Sequence, residues 1–422
     1  MNNAAAEFLC RHGMHPDCIP MAESCGRFLL EMKQGLKGEP SSLMMIPAYV
    51  SPEHQLPKDA SVAVLDAGGT NLRSGRCRVS DGNITLEQVQ VCPMPGTVSP
   101  LSTEEFLETL ADQLEPVLKD CAGLGFCFSF PAEITPDLDG ILLGFNKEVV
   151  VRDSAGMHIC QALNETLARR GIPAQKYALI NDTVATLLGG YGATEPEAWD
   201  GYIGFILGTG TNCCYTEQVE KIEKLPNSVG HTMVVNIEAG GYGQFPTGDF
   251  DRAVDARSNN PGEHLYEKMV SGGYFGEIAL EMLRGTIEEG LLTGHTPEVL
   301  EMKAICAFLE DPGSPTPLMA FCGDPTEKEI LYTLLDLLLE RAAKMIAVNL
   351  TAILVQGGMG RSPEKPACIV VEGSTFQKAS AYQEKIRFHM RALATDKYGR
   401  YFRFRSFPDN NLRGAAVAAL LK

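Results

Sequence analysis

Two glycine turns in this chain carry residue types that bind phosphate. The first follows an apolar run, and its paired glycines, Gly68 and Gly69, let backbone N–H groups approach an anion without interference from a Cβ atom. Side-chain donors follow at Thr70, Asn71 and Arg73. Asp66, just before the glycines, is placed to hold a hydrated Mg²⁺ that bridges phosphate oxygens. The segment predicts a phosphate-binding turn, with a plain glycine hairpin capped by Asp66 as the alternative.

The second turn, at 207–212, repeats this arrangement after another apolar run. Gly208, Thr209 and Gly210 would supply backbone N–H groups, so the two turns could clamp a polyphosphate from opposite sides. Neither turn is a Walker loop, because no Gly-Lys-Ser/Thr follows, and neither contains the Gly-x-Gly-x-x-Gly of a dinucleotide-binding fold. A tight structural turn is the alternative for this segment as well.

The elements that must position these turns alternate between short apolar runs and amphipathic patterns. Runs that end in polar or glycine-containing turns predict buried strands at 61–66, 123–128, 177–180, 202–207 and 367–371. Amphipathic patterns between them predict helices at 104–119, 158–170, 264–284 and 328–354. A repeated order of strand, turn and helix predicts an α/β fold.

Polar residues follow all five predicted strands. Ligands of open α/β sheets bind beyond the carboxyl ends of the strands, and five such ends are too many for one crevice in one sheet. Two α/β domains that face one another across a cleft would let all five converge. The sequence therefore predicts two domains with the site between them.

Charge limits the partners of the chain. Its 422 residues include 36 basic and 53 acidic side chains, for a formal net charge of −17. Generic attraction to nucleic acid or to anionic lipid is therefore unfavourable, and a nucleotide must be held by a local device such as a glycine turn. We expect a small-molecule substrate, no nucleic acid and no membrane, while protein partners stay unknown.

Cysteine usage and hydropathy favour an intracellular protein. The 13 cysteines are scattered without C-x-x-C pairs, which predicts buried free thiols over a metal or redox site. The first residues lack the continuous apolar stretch of a signal peptide. The most apolar helical pattern, 329–354, carries Asp336, Glu340, Arg341 and Lys344, so we expect a packed core helix and a cytoplasmic location.

Longer motifs follow one another in order along nearly the whole chain. They include D-x-G-G-T-N-x-R at 66–73, F-S-F-P at 128–131, I-N-D-T-V-A-T at 180–186, L-G-T-G-T-N at 207–212 and N-P-G-E-H-L-Y-E-K-M at 260–269. Together they resemble the eukaryotic-type hexokinase and glucokinase family, and further similarity extends from 28–36 to 371–374. The resemblance implies phosphorylation of the 6-hydroxyl of glucose or a similar hexose, with ATP and Mg²⁺.

The same resemblance implies an actin-like (ribonuclease H-like) two-domain sugar kinase with a cleft between a small and a large domain. Residues 60–181 plus 411–422 would form the small domain, and residues 1–59 plus 182–410 the large domain. A chain of this length corresponds to a single catalytic unit.

By similarity, Asp182 is the catalytic base that accepts the proton of the sugar hydroxyl, whereas the residue types alone would equally allow an Asn-Asp turn or a helix N-cap. Carboxylates and amides can each bind two vicinal hydroxyls. The family's sugar ligands match Asn181, Asn212, Glu238 and Glu267, with Ser129, Asn146 and Lys147 joining from the small domain when the cleft closes. The family's adenosine-side loop matches Gly373 and Ser374.

Some positions depart from the family pattern. Asn146 stands where relatives have a threonine that touches the sugar, and Ala239 replaces a tryptophan behind Glu238. The preference among hexoses is therefore open, as is regulation, because Asp409-Asn-Asn-Leu-Arg-Gly414 differs from the glycine-rich segment of relatives. A sugar sensor without useful catalysis and a sugar-independent ATPase of the same fold are the two rival interpretations.

Overall fold

The computed structural model describes residues 3–52, 56–81, 83–145, 149–194, 198–225, 230–313, 315–321 and 324–422. Its strands, in chain order, are β1 (Ile46–Pro47), β2 (Asp59–Ala67), β3 (Asn71–Ser80), β4 (Asn83–Pro93), β5 (Leu101–Ser102), β6 (Leu124–Phe128), β7 (Ala132–Ile134), β8 (Gly140–Leu142), β9 (Val151–Arg152), β10 (Tyr177–Ile180), β11 (Tyr202–Leu207), β12 (Thr211–Gln218), β13 (Thr232–Asn236), β14 (Ala367–Glu372) and β15 (Phe402–Arg405).

Its helices are α1 (Asn3–Arg11), α2 (Met21–Lys37), α3 (Thr103–Leu114), α4 (Ile159–Arg169), α5 (Asp182–Ala193), α6 (Asp249–Arg257), α7 (Leu265–Val270), α8 (Phe275–Glu288), α9 (Met302–Glu310), α10 (Pro325–Gln356), α11 (Ser374–Lys378), α12 (Ser380–Met390) and α13 (Asn410–Leu421). Short 3₁₀ turns and one π-helical turn, Arg391–Lys397, complete the described elements.

Two mixed sheets carry the five predicted strands. A five-stranded sheet has the order β10-β6-β2-β3-β4, and a six-stranded sheet has the order β1-β13-β12-β11-β14-β15. The predicted strands β2, β6 and β10 are parallel neighbours in the first sheet, and β11 and β14 are parallel neighbours in the second. The expected division of the strand ends between two sheets is confirmed.

The expected order of strand, turn and helix is wrong at both glycine turns. The chain returns as an antiparallel strand in each case, so the first turn joins β2 to β3 and the second joins β11 to β12. In β3 the register shifts between Ser74 and Arg76, which interrupts the period-2 alternation that would mark a strand in the sequence. Both turns are hairpins. Any phosphate at these turns would therefore be bound by the backbone N–H groups of a hairpin and not by those at the start of a helix.

Helices α5 and α13 connect the two sheets. α5 packs on the six-stranded sheet, α13 packs on the five-stranded sheet, and the two helices pack against one another. Glycines allow this closeness, because a Cβ atom at Gly414 would overlap the carbonyl oxygen of Ala185, and one at Gly125 would overlap that of Ala415. A continuous apolar core therefore runs from one sheet to the other through both helices.

The predicted core helix at 328–354 is confirmed as α10, most of whose side chains are buried. Its one buried cation, Arg341, pairs with Asp251 through N···O distances of 3.1 and 2.5 Å. No helix in the described part of the chain is long and apolar enough to cross a membrane. The described cysteines are all free thiols and most are buried, as expected.

Candidate active site

The first glycine turn lies at the carboxyl end of β2. The N–H of Gly68 donates to the carbonyl oxygen of Asn71 over 3.0 Å and closes the hairpin. The N–H of Ser129, just after β6, donates to the carbonyl oxygen of Ala67 over 3.1 Å. The structure therefore brings Ser129 beside the turn that contains Gly69 and Thr70.

Asp66 is buried beneath this turn and pairs with Arg73. The guanidinium donates to Oδ2 of Asp66 from Nε at 3.0 Å and from Nη2 at 2.5 Å, and to Oδ1 of Asp409 from Nη1 at 3.2 Å. Burial opposes the charge of Arg73, but the two carboxylates raise its pKa overall. The second oxygen of Asp66, Oδ1, is buried and has no hydrogen-bond partner among the described residues. Oδ2 of Asp66 is thus paired with a cation, and Oδ1 is available to accept a hydrogen bond or to bind a cation.

Three backbone segments meet at the second glycine turn. The carbonyl oxygen of Gly208 accepts hydrogen bonds from the N–H of Gly272 at 2.8 Å and from the hydroxyl of Thr375 at 2.9 Å. The carbonyl oxygen of Thr209 accepts one from the N–H of Gly273 at 3.1 Å. The turn, the segment between α7 and α8, and the start of α11 therefore form one cluster.

Gly373 and Ser374, which the family resemblance had assigned to the adenosine side, lie beside this cluster. Gly373 has a φ of +110°, and its Cα lies 3.4 Å from where a Cβ atom of Gly208 would be. Gly272 and Gly273 escaped the sequence interpretation because 264–284 was expected to be one helix, and Thr375 was not selected beside Gly373 and Ser374. That expectation is wrong, since Ser271–Tyr274 separates α7 from α8, and the N–H groups of Gly272 and Gly273 in this segment donate to the turn. The adjacent glycines were the signal for the break.

Asp182 is the first residue of α5. The preceding Asn181 caps the helix, with its Oδ1 accepting a hydrogen bond from the N–H of Thr183 at 2.8 Å. The hydroxyl of Thr183 also donates to Oδ1 of Asp182 at 3.3 Å. Asn181, and not Asp182, is therefore the N-cap of α5. The half-buried carboxylate of Asp182 lies at the N-terminus of this helix, where the helix dipole stabilises negative charge.

Asp66 and Asp182 project from the same edge of the five-stranded sheet. Cys127 is the Cα partner of Asp66 on one side and of Ile180 on the other, so two strand spacings, about 9–10 Å, separate Asp66 from Ile180. Burial, followed by the charges of both aspartates, raises the pKa of the Cys127 thiol. A neutral thiol thus lies between two carboxylates.

Asn212, Glu238 and the buried Asn236 form a closed polar cluster on the six-stranded sheet. The Asn212 amide donates to Oδ1 of Asn236 at 2.9 Å and to Oε1 of Glu238 at 3.2 Å, and the Asn236 amide donates to that same Oε1 at 2.6 Å. Oδ1 of Asn212 accepts from the N–H groups of Cys213 and Ala239. Asn236 was missed from the sequence, because β13, which it ends, was not among the predicted strands.

Glu267 does not lie on a solvated helix face. Its Oε2 accepts a 2.9 Å hydrogen bond from the N–H of Thr211, and it lies 2.5 Å from where a Cβ atom of Gly210 would be. The glycine therefore leaves room for the carboxylate, and the second glycine turn contacts Glu267 as well as the cluster formed with Gly272, Gly273 and Thr375.

Charged groups at the strand ends of one sheet contribute to the pKa values of carboxyl groups in the other sheet. Burial raises the pKa of Glu238, and the like charge of Asp182 raises it further. At the end of β14, burial raises the pKa of Glu372 to about 7, with Arg73 opposing and Asp66 adding to the shift. Glu372 was also missed from the sequence. The predicted sugar contacts Asn146 and Lys147 lie outside the described residues.

Comparison with known proteins agrees with this geometry. Family models described as hexokinase match residues 17–191 and 202–421. Hexokinase-1 of rice (Oryza sativa subsp. japonica) is 30% identical, over 94% of this chain and 87% of that protein, and the chloroplastic hexokinase-2 of tobacco (Nicotiana tabacum) is 28% identical over 92% and 85%.

Solved structures give the same result. Hexokinase of Schistosoma mansoni in complex with glucose superposes with a TM-score of 0.80 at 25% identity, covering 99% of both chains. The ROK hexokinase of Thermus thermophilus has a TM-score of 0.51 at 16% identity, over 85% of this chain and 97% of that one, and supports the fold alone. The predicted family, actin-like fold and enzyme class are confirmed, and the chain belongs to the hexokinase family of hexose-phosphorylating kinases.

Proposed function

We propose that this hexose kinase transfers the γ-phosphoryl group of ATP to the 6-hydroxyl of glucose or a closely similar hexose, with Asp182 as the general base. The observation that supports this most is the position of the Asp182 carboxylate. It begins α5 at the edge of the five-stranded sheet, and the carbonyl oxygen of the next residue, Thr183, accepts a 3.0 Å hydrogen bond from Sγ of Cys214 in β12, the strand that carries Asn212.

In the reaction, the sugar oxygen attacks the γ-phosphorus while the bond from that phosphorus to the bridging oxygen of ADP breaks. Asp182 accepts the hydroxyl proton. Because the transition state of phosphoryl transfer is loose, the base acts mainly by orienting the hydroxyl and by taking its proton late. Loss of Asp182 should therefore lower turnover far more than hexose binding.

The hexose would be bound by Glu238, Glu267, Asn212 and Asn181, with Ser129, Asn146 and Lys147 approaching from the other side. The hydrogen-bonding capacity of Asn212 is already taken up by protein groups. Its longest contact, 3.2 Å to Glu238, is the one that a sugar hydroxyl would most readily replace. Oε1 of Glu238 would keep its shorter bond to Asn236.

The nucleotide would be clamped by the two hairpin turns. Gly68, Gly69, Thr70 and Asn71 would approach the phosphates from one sheet and Gly208, Thr209 and Gly210 from the other, with Gly373 and Ser374 on the adenosine side. Arg73 was expected to contact phosphate directly, and its guanidinium is engaged by Asp66 and Asp409. We therefore assign to Arg73 the orientation of Asp66, and phosphate contact only through the Nη1 atom that now faces Asp409.

Mg²⁺ fits beside Asp66. The buried Oδ1 of this residue has no hydrogen-bond partner among the described residues, and a carboxylate oxygen is a ligand that Mg²⁺ accepts either directly or through water. When bound, the ion neutralises negative charge on the phosphate oxygens. Arg73 keeps the other oxygen of Asp66 fixed, so that Oδ1 has one orientation.

We propose the domain division 60–181 plus 411–422 against 1–59 plus 182–410. It is supported by the five-stranded sheet, whose strands span 59–180, and by α13, which packs on that sheet. Closure of the cleft around a hexose would bring Ser129 toward the sugar and exclude water from ATP. A cytoplasmic location is supported by the free thiols, which persist in a reducing compartment.

The test is ADP formation from Mg·ATP without sugar and with glucose, mannose, fructose, galactose or N-acetylglucosamine. We expect hexose-dependent turnover, lowered by about a hundred- to ten-thousandfold in Asp182→Asn, while glucose still raises the Tm of that variant. Asp396→Asn, on the exposed π-helical turn, is the matched control and should keep full activity.

Three results would contradict the proposal. ADP formation that is equal with and without any hexose would make the chain an ATPase. A Tm raised by glucose in a protein that no hexose stimulates would make it a sugar sensor. Full activity in Asp182→Asn would remove the assigned base.

A further inference from the structure

A buried amide lies on the core side of the polar cluster of Asn212, Asn236 and Glu238, which we call the hexose cluster. Asn349, in the middle of α10, is 0% exposed and is flanked by the buried apolar residues Val348 and Leu350. Its Nδ2 lies 3.2 Å from the hydroxyl oxygen of Tyr266 and 3.6 Å from Sγ of Cys213. Its Oδ1 is buried and has no hydrogen-bond partner within the described parts of the chain. A half-satisfied amide in an apolar core disfavours the folded state.

The two groups that Asn349 contacts are the immediate neighbours of two proposed hexose ligands. Cys213 follows Asn212 in β12, and because successive side chains of a strand point to opposite faces, Cys213 points into the core when Asn212 points to the cleft. Tyr266 precedes Glu267 in α7 and is fully buried. Asn349 therefore links β12 and α7 on the side that faces the core. The opposite sides of these two elements carry the proposed sugar ligands Asn212 and Glu267.

On the cleft side, the same two elements are joined by a single described hydrogen bond, from the N–H of Thr211 to Oε2 of Glu267 at 2.9 Å. This bond uses one oxygen of a carboxylate that must also accept sugar hydroxyls. A second link, independent of the ligand groups, would keep the separation of Asn212 and Glu267 constant when the hexose binds.

We propose that Asn349 is a positioning residue for the hexose site, holding β12 and α7 at the separation that lets Asn212 and Glu267 bind one sugar together. The proposal rests on the assignment of Asn212 and Glu267 as hexose ligands. Asn349 is fully buried and links only β12 and α7, so its effect should be confined to the hexose.

The test is Asn349→Leu, which keeps the number and branching of the side-chain heavy atoms, removes both links and removes the unsatisfied oxygen. Removal of the unsatisfied oxygen offsets the loss of the partner of the buried Tyr266 hydroxyl, so we expect a Tm close to that of the wild type, together with a KM for glucose raised about five- to tenfold. The KM for ATP and kcat should each stay within about twofold of the wild type. A residue that served only stability would not combine a nearly unchanged Tm with weaker hexose binding.

Thr351→Val is the matched control. Thr351 is equally buried in α10, but its hydroxyl points to Sδ of Met390 at 3.7 Å, away from the hexose cluster. Its KM for glucose should not change. Tyr266→Phe, which removes only the acceptor oxygen, is a second variant that should raise the KM for glucose even if Asn349→Leu does not fold.

Glu267→Gln separates the two possible failures. If Glu267→Gln raises the KM for glucose while Asn349→Leu and Tyr266→Phe leave it unchanged, the positioning function of Asn349 is wrong and the proposed hexose site stands. If Glu267→Gln itself leaves the KM for glucose unchanged, Glu267 is not a hexose ligand, and both the ligand assignment and the inference built on it fall.

Discussion

The backbone N–H of Gly272 donates a 2.8 Å hydrogen bond to the carbonyl oxygen of Gly208, so the break between α7 and α8 is attached to the second glycine turn. The same carbonyl oxygen accepts from the hydroxyl of Thr375. The shape of the turn therefore depends on segments 64 and 167 residues further along the chain.

This relationship makes Gly272→Ala a test of the nucleotide side. A Cβ atom there would overlap the hydroxyl of Thr375 and lie 3.0 Å from the carbonyl oxygen of Gly208. We expect the KM for ATP to rise about tenfold or more, because the turn must shift, while the KM for glucose changes little. Steady-state kinetics with each substrate varied in turn would check this, and equal increases in both KM values would contradict the assignment of the turn to ATP.

Asn236→Ala tests the hexose cluster. It removes the donor that lies 2.6 Å from Oε1 of Glu238 and the acceptor that lies 2.9 Å from the Asn212 amide. Because one of these bonds is made to a carboxylate, we expect kcat/KM for glucose to fall about tenfold to a hundredfold, with little change in the KM for ATP. Thr232→Val, at the other end of β13, is the control. An unchanged kcat/KM would show that Glu238 does not need Asn236.

Glu372→Gln tests the pH dependence of stability in the ligand-free protein. Because burial raises the pKa of Glu372 from 4.5 to about 7, the folded state favours its protonated form. Its contribution to stability is fully present below about pH 4.5 and is lost as the pH rises through about 7. The glutamine variant lacks this loss and should be more stable than the wild type at about pH 8, by at most about 3 kcal/mol.

Thermal unfolding at about pH 5.5 and about pH 8 would measure the difference, which should shrink at the lower pH. Glu384→Gln, on the exposed face of α12, is the control and should show the same small effect at both values. A variant that gains no stability at the higher pH would mean that Glu372 is ionised at little cost in the folded protein.

Gly414→Ala tests the close approach of α13 to α5. A Cβ atom at this position would overlap the carbonyl oxygen of Ala185 in α5, and backbone cannot move aside as a flexible side chain can. We expect a loss of about 1–3 kcal/mol or more. Gly26→Ala in α2, where a Cβ atom would meet nothing within 4 Å, should instead leave stability unchanged or raise it slightly. Equal Tm values for the two variants would show that the helices can separate at no cost.

Local sequence was sufficient for several elements of the fold. The strands at 177–180 and 202–207 have the predicted bounds, and the long apolar pattern became the buried helix α10. These segments are apolar throughout or periodic over many residues, and punctuation by Gly or polar residues marks their ends. The motifs at 66–73, 180–186 and 207–212 were enough to indicate the family, and the similarity to known hexokinases confirmed it.

The sequence by itself thus determined the family, the α/β class and the turns where the site would form. Only the tertiary structure decided that both glycine turns are hairpins, that Gly272 and Gly273 interrupt a helix to support one of them, and that Asn236, Asn349 and Glu372 lie beside the proposed ligands. Periodicity reports only on neighbours within a few residues, whereas each of these features depends on contacts with residues that are remote in the chain or on burial that many elements create together.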